Sequence, residues 1–422
     1  THALVVHGLD GMDELSTLGP TRVSELRDGQ VKTRELRPEQ FGLDRAEPEE
    51  ITGGDPARSA AVLLTAISGE EGAPRDIVLL NAGAAIYVGG KAASIGQGIG
   101  MASLIHVGGG ARVYKSDGCG TIVKVDDFGK VDVFTGATDI GQGADTVIAQ
   151  MVAEEIGVLP EDINIIDRDT DVCPWDVGVH ASRTTFVAGN SAVMAARKVR
   201  EKILDLAAGF VDRWKDKQGN KHEMKLDDDP KNLVIKDRMV YSVKEPEKKI
   251  ALGKILRGAH YEKNGTMIMA EAFYDPDNEN LDKEFKGNLS KAYAYGAHGV
   301  EVEVDQETGK VKILRYVAAH DVGRAINPML LEGQIYGAAA MGVGYALTER
   351  LILEKGEVMN PNFRDYKLLT AKDVIPVEPV IIESMDEAGP YGAKGIGEPG
   401  LVPSAPAIAN AVFAATGLRI RS

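Results

Sequence analysis

The sequence predicts an α+β protein of mixed α/β layers, with a small α/β segment ahead of a larger α+β domain. Beyond Ala111, short β-branched runs alternate with helical periodicities, and turn signals such as Asp127-Phe128-Gly129-Lys130 separate the strands. The chain has 422 residues, of which 44% are hydrophobic, enough for more than one cored domain at roughly 100–200 residues each. Residues 1–102 read as a different unit from residues 103–422, which places the domain boundary between them.

In the first unit, Val5, Val6, His7 and Gly8 predict a short buried strand, and residues 11–16 the loop after it. Residues 23–36 have hairpin character, with Asp28-Gly29 as the turn. At Gly53-Gly54-Asp55-Pro56 a helix is expected to start, because Asp55 is a good N-cap and Pro56 suits the first helical position. Residues 76–99 carry Leu79, Ala82, Ala85, Ile86 and Gly89 at close-packing helical spacing. That helix is expected to break off near Met101 and Ala102, with Gly108-Gly109-Gly110 as a flexible connection or a close backbone approach.

In the second unit, residues 121–134 predict a hairpin, and 135–143 a Gly-rich loop feeding an amphipathic helix over 144–156. A strand at 163–166, a loop at 171–182 and a long helix from Thr184 to Trp214 follow. Residues 215–231 are charged and read as an exposed connection. Residues 299–304 and 311–318 form a hairpin through Glu307-Thr308-Gly309. A helix over 328–347 and another starting near Val402 complete the chain.

Composition removes several classes of function. A net charge of −15 argues against a nucleic-acid partner, which needs clustered Lys and Arg. Apolar runs such as 335–347 are broken by Gly and fall short of the ~20 residues that span a bilayer. Thr1 reads as the middle of a protein, no signal peptide is visible, and a cytoplasmic protein without membrane contact fits best. Cys119 and Cys173 are the only two cysteines, too few for an iron–sulfur cluster. The eight histidines lack zinc-site spacing.

Chemistry concentrates where Gly meets polar side chains. Gly141-Gln142-Gly143 sets an amide, donor and acceptor at once, at a helix N-terminus that favours negative charge. Gly333-Gln334 repeats the pattern near the start of a second helix. In residues 392–400 four glycines let the backbone approach a bulky ligand, and Glu398 is the only acid. A carboxylate so placed is either a solvated turn residue or a general base. Asp13 and Glu14 are adjacent hard carboxylates that suit Mg²⁺ or simply form a solvated acidic turn.

Two resemblances organise these residues. Over about its last three hundred residues the chain resembles the large, molybdenum-binding subunit of the xanthine dehydrogenase and aldehyde oxidase family. The likeness rests on residues 135–143, the Ala181-Ser182-Arg183 loop, residues 298–305 and 319–328, Glu332-Gly333-Gln334 and the Glu398 loop. The loop around His180 and the His320 segment are most similar to the hydroxybenzoyl-CoA reductase branch. Residues 1–102 resemble the C-terminal part of anthranilate phosphoribosyltransferase, on Val-Val-His-Gly at 5–8, Gly-Met-Asp-Glu-Leu-Ser at 11–16, Gly-Gly-Asp at 53–55, and residues 80–92. The join of the two makes the chain look like a chimera.

The first resemblance implies a molybdopterin cofactor carrying molybdenum, in the cytosine dinucleotide form. Gln142 and Gln334, with Gly141, Gly143, Ala181, Ser182, Gly333 and Gly397, would hold the cofactor. Glu398 would be the catalytic base. His320 and Asp321 are expected to order a strand end. The reaction implied is hydroxylation, or reductive dehydroxylation, of a small aromatic or heterocyclic, aldehyde or CoA-thioester substrate. Iron–sulfur and flavin (FAD) groups would sit on partner chains, and another chain would supply the missing half of the molybdenum-binding subunit. The second resemblance implies Mg²⁺ at Asp13 and Glu14. That family's diphosphate loop and helical domain have no counterpart here, so no phosphoribosyl transfer is expected from this chain alone. The alternatives are a non-catalytic fusion of two enzyme fragments, or a transferase fragment of tryptophan biosynthesis.

Overall fold

The computed structural model describes residues 2–27, 29–52, 58, 59, 61, 62, 66, 71–88, 99–111, 115–261, 265–305 and 307–420. Strands β1 (His2–Gly8), β2 (Thr21–Arg27) and β3 (Gln30–Leu36) form an antiparallel sheet. Helix α1 (Ala73–Val88) packs on it, and Leu15, Val23, Leu36, Leu80 and Ala84 make its small core. β1 is not a buried strand, since Val5 is 71% exposed and only Gly8 is buried. The rotation of α1 also differs from the expectation. Leu80 and Ala84 are buried while Leu79 is exposed. The Asn81 amide donates to the Leu15 carbonyl and accepts from the Leu15 N–H, both at 2.8 Å, which locks the helix face. The expected turn at Asp28, the helix start at Gly53-Gly54-Asp55-Pro56 and residues 89–98 lie outside the described residues.

Strand β4 (Ile99–Val107) was not expected. Residues 99–102, read from sequence as the end of a helix, pair antiparallel with a later strand, Gly100 facing Val300. β5 (Cys119–Val125) and β6 (Val131–Thr135) form the expected hairpin. Helix α2 (Ala144–Ile156) buries Ile148, Met151, Val152 and Ile156, and β7 (Ile163–Ile166) runs parallel to β6. Helix α3 (Thr184–Ala207) is shorter than the periodicity suggested. Gly209 turns the chain at φ +71°, and β8 (Val211–Lys215) pairs with β9 (Lys221–Lys225) as an antiparallel hairpin. The charged stretch after 215 is therefore partly strand.

A small sheet of β10 (Leu233–Lys236), β11 (Met239–Ser242) and β12 (Lys249–Ala251) leads into α4 (Leu252–Tyr261) and β13 (Met269–Tyr274). The long pair β14 (Tyr293–Val304) and β15 (Val311–Asp321) precedes helix α5 (Pro328–Leu347). Beyond a short β16 (Leu353–Glu354) and β17 (Glu357–Val358) hairpin come β18 (Glu378–Ile382) and helix α6 (Ser404–Thr416). Two four-stranded sheets result, in the orders β13-β5-β6-β7 and β18-β15-β14-β4.

α2 and α3 cover the first sheet in one continuous apolar core, in which Phe186, Val199 and Ile203 are fully buried. α5 and α6 cover the second, with Ile335, Ala339, Ala407 and Ala411 fully buried. Close approach governs this second layer. A Cβ on Gly100 would lie 1.9 Å from the Ala411 backbone nitrogen, so α6 rests directly on β4. Loops of the second layer are tied to one another: Gly395 N–H donates to the Gly108 carbonyl at 2.7 Å, and Lys394 N–H to the Val322 carbonyl at 2.9 Å. Among the described residues, no helix is long and apolar enough to cross a membrane.

Candidate active site

The loops singled out by sequence converge on one cleft. A cavity of about 320 Å³ is lined by Gln142, Ser182, Gln334, Gly397 and Glu398, together with Ile140, Val179, His180, Arg183, Thr184, Thr185 and Ile396. A smaller adjoining space of about 60 Å³ shares Gln142, Thr185, Gln334 and Ile396 and reaches Asn327, Arg324 and Lys394. Residues more than 250 positions apart in the chain thus share one wall.

Glu398 is held by Ser182. The Ser182 hydroxyl donates to Glu398 Oε2, and the Glu398 backbone N–H donates to Ser182 Oγ at 2.8 Å. His106 Nε2 stands 3.6 Å from the same carboxylate oxygen. No hydrogen bond within the described residues occupies Oε1, and the side chain is half exposed toward the cavity.

Ser182 and its neighbour Ala181 adopt left-handed backbone conformations, φ 54° and φ 48°. Such geometry in non-glycine residues costs about 1 kcal/mol or more each and persists only where the surroundings impose it. Arg183 imposes it. Its buried guanidinium ion-pairs with Asp117 at 2.9 Å and Asp176 at 2.8 Å, and it donates to the carbonyls of Asp117, Gly118 and Gly178. Burial pushes the Asp117 carboxyl up from its ordinary range, against the pull of Arg183 and then His180. Gly395 lets the opposing loop come close, since a Cβ there would sit 1.4 Å from the Ser182 carbonyl oxygen.

Gln142 is anchored within its own loop: its Oε1 accepts from Ile140 N–H at 2.7 Å and its Nε2 donates to Thr138 carbonyl at 3.1 Å. Asp139 gathers the backbone donors of Gly141, Gly143 and Asp145. Burial opposes ionisation of Asp139, yet those three N–H groups win and hold its carboxyl below the usual range. The Gln334 amide lines the cavity without a hydrogen bond in the described structure. Helix α5 carries a true cap, Asn327 Oδ1 accepting from Leu330 N–H at 3.1 Å, whereas no side chain caps α3. Its first-turn residues Thr184 and Thr185 line the cavity.

His106, Thr185 and Asn327 were not among the residues picked from sequence. The only sequence signal for His106 is its place two residues before the Gly108-Gly109-Gly110 run. Asp13 is exposed and Glu14 half-buried, away from these loops in sequence. Burial, then the Asp13 charge, raises the Glu14 carboxyl. No group of three or more potential metal ligands forms among the described residues. His320 lies not in the cleft but fully buried in the second sheet, its Nε2 2.8 Å from His298 Nε2. It links β15 to β14 through His298.

Residues 88–375 match the family model of the molybdopterin cofactor-binding domain. The chain belongs to the molybdopterin cofactor-binding family. Residues 1–112 match the model of the glycosyl transferase family, a/b domain, in line with the transferase-like first segment and the chimeric join. The chain is 36% identical over 300 residues to a putative xanthine dehydrogenase molybdenum-binding subunit of Escherichia coli K12, covering 70% of this chain and 36% of that protein. It is 32% identical over 392 residues to subunit gamma of the 6-hydroxypseudooxynicotine dehydrogenase complex of Paenarthrobacter nicotinovorans, covering 92% of this chain and 44% of the relative. The crystal structure of a Cu,Mo-CO dehydrogenase superposes with a TM-score of 0.64 at 25% identity, over 90% of this chain and 45% of that one. That of quinoline 2-oxidoreductase from Pseudomonas putida 86, at 24% identity and TM-score 0.65, shares the fold. The chain spans less than half the length of each of these relatives.

The cleft fits a molybdopterin cofactor. Gly141 and Gly333 are exposed with open space where a Cβ would stand, but neither lines the cavity. The Gln334 amide is available as donor and acceptor. The N-terminus of α3, without a side-chain cap, suits a phosphate.

Proposed function

We propose that this chain is part of the molybdenum-binding large subunit of a molybdopterin-dependent oxidoreductase. It would hydroxylate, or reductively dehydroxylate, a small aromatic or heterocyclic, aldehyde or CoA-thioester substrate. The observation that carries this reading is the convergence of Gln142, Ser182, Gln334, Gly397 and Glu398 on one cavity. Gln142 and Gln334, with Gly141, Gly143, Ala181, Ser182, Gly333 and Gly397, would hold the cofactor, in its cytosine dinucleotide form. Bound there, it would supply two-electron redox chemistry beside Glu398.

The protein's own part is proton handling and orientation. Ser182 engages Glu398 Oε2 from one side and thereby presents Oε1 to the cavity as the proton acceptor. Iron–sulfur and FAD groups on partner chains would carry the electrons away. The other half of the large subunit would complete the cofactor pocket.

The test is the assembled enzyme with Glu398→Gln. Turnover should be abolished while molybdenum and released cytidine nucleotide, measured after denaturation, stay at wild-type content. Loss of molybdenum with the variant would mark Glu398 as structural. The transferase-like segment supports a second, narrower reading, in which Asp13 and Glu14 bind Mg²⁺ without phosphoribosyl transfer. Measurable transfer from phosphoribosyl diphosphate to anthranilate by the purified chain would overturn that.

A further inference from the structure

His106 approaches Glu398 through one defined ring nitrogen. His106 Nδ1 lies 2.7 Å from the Val107 carbonyl oxygen. A carbonyl only accepts, so Nδ1 carries the hydrogen of that bond. Nε2 is then the ring atom left without that hydrogen, and it is the atom that stands 3.6 Å from Glu398 Oε2. The placement is imposed by the fold. His106 sits on β4 opposite Ala294 of β14, and two residues further on the Gly108 carbonyl holds the Gly395 N–H at 2.7 Å. The Glu398 loop cannot leave His106 without breaking that bond and the pair of bonds to Ser182.

We propose that His106 is a positioning residue that regenerates Glu398 by carrying its proton out to solvent. This rests on the reading of Glu398 as the base. After Glu398 accepts a proton at Oε1, a half-turn of the carboxyl exchanges its two oxygens. The O–H bond then breaks, the proton forms a bond to His106 Nε2, and a carboxylate–imidazolium pair results. Water takes the proton from Nε2, leaving neutral imidazole and the carboxylate ready for the next cycle. His106 is 21% exposed and Glu398 51%, so solvent reaches both ends of the transfer.

Other charged groups nearby are committed elsewhere. His180 faces Asp117 at 3.5 Å, Arg183 is spent on Asp117 and Asp176, and Lys394 holds Asp321 at 2.7 Å. Ser182 can orient the carboxylate but does not take up a proton near neutral pH. Among the described residues, His106 is the basic side chain that stands within 4 Å of the Glu398 carboxylate.

Two measurements test the assignment. In the full chain with ¹⁵N-labelled histidine, the His106 ring should show the Nδ1–H tautomer, and its Nε2 signal should move in Glu398→Gln. An Nε2–H tautomer, or a signal indifferent to Glu398→Gln, overturns the proposal without any reference to activity. In the assembled holoenzyme, His106→Ala should lower turnover about tenfold or more, with molybdenum content unchanged and most of the loss restored by free imidazole. Wild-type turnover, or a loss that imidazole does not repair, also overturns it. If Glu398→Gln itself retains turnover, the base assignment fails first, and the two failures are distinguishable.

Discussion

Mild acid should open the second sheet through the buried pair His298 and His320. Both side chains are fully buried, with His298 Nε2 2.8 Å from His320 Nε2 and His298 Nδ1 2.7 Å from the Tyr316 hydroxyl. Burial, and then the neighbouring His320, pushes His298 down to about 3. Burial alone takes His320 down to about 4, from an ordinary value of 6.5. Burial sends the Tyr316 hydroxyl up to about 12, so it stays out of this range. Both histidines are therefore neutral in the folded protein at pH 5, whereas the unfolded chain binds a proton on each. The contribution is fully present above pH 6.5 and is lost as pH falls toward the folded values. At 1.36 kcal/mol per unit for each group, the slope approaches about 2.7 kcal/mol per pH unit, and about 2 kcal/mol is lost between pH 6.5 and 5.5. Hydrogen-exchange protection of the β14 and β15 amides from pH 7 to 5 reads this opening without requiring the whole chain to unfold. In a His298→Asn/His320→Asn variant the protection starts lower, because a cavity is made, but falls less steeply with pH. Equal slopes in the two proteins would refute the reasoning.

Two further substitutions probe the cleft. Arg183→Met leaves Asp117 and Asp176 buried without their partner and should cost about 3–5 kcal/mol in denaturant unfolding. Arg183→Lys should not restore it, because one ammonium cannot reproduce the guanidinium fork. Gly395→Ala puts a Cβ where the Ser182 carbonyl oxygen lies 1.4 Å away. The two loops must separate, so amides of residues 180–182 and 395–398 should exchange faster together while those of β1 to β3 are unchanged. Unchanged exchange at 180–182 would contradict the close approach.

Much of the fold was legible as local pattern. The helix over Ala144–Ile156 matched its apolar periodicity, because it buries one face against a sheet, and the helix over Pro328–Leu347 formed over the expected residues. Helix ends and neighbours were less legible. α3 stops at Ala207 because Gly209 turns at φ +71°, and Trp214 then stacks on His222, a contact no helical periodicity contains. Asn81 sets the face of α1 by bonding to Leu15, a partner 66 positions away. Residues 99–102 were misread because a short run of small and apolar residues suits either a helix or a strand, and only pairing with β14 chooses.

By itself, the sequence determined the residue types that the chemistry requires: Glu398 on a Gly-rich loop, amides at Gln142 and Gln334, and too few cysteines for a cluster. The motifs around them carried the resemblance to the family. The tertiary structure decided which of these groups meet. Ser182 and Glu398 lie 216 positions apart, and their bond depends on Arg183 being pinned by Asp117 and on the bare backbone of Gly395. His106 faces Glu398 because β4 ends beside that loop. Periodicity records which face of an element is apolar. It does not record which loop ends two packed layers bring within hydrogen-bonding distance, because that depends on contacts between side chains distant in sequence.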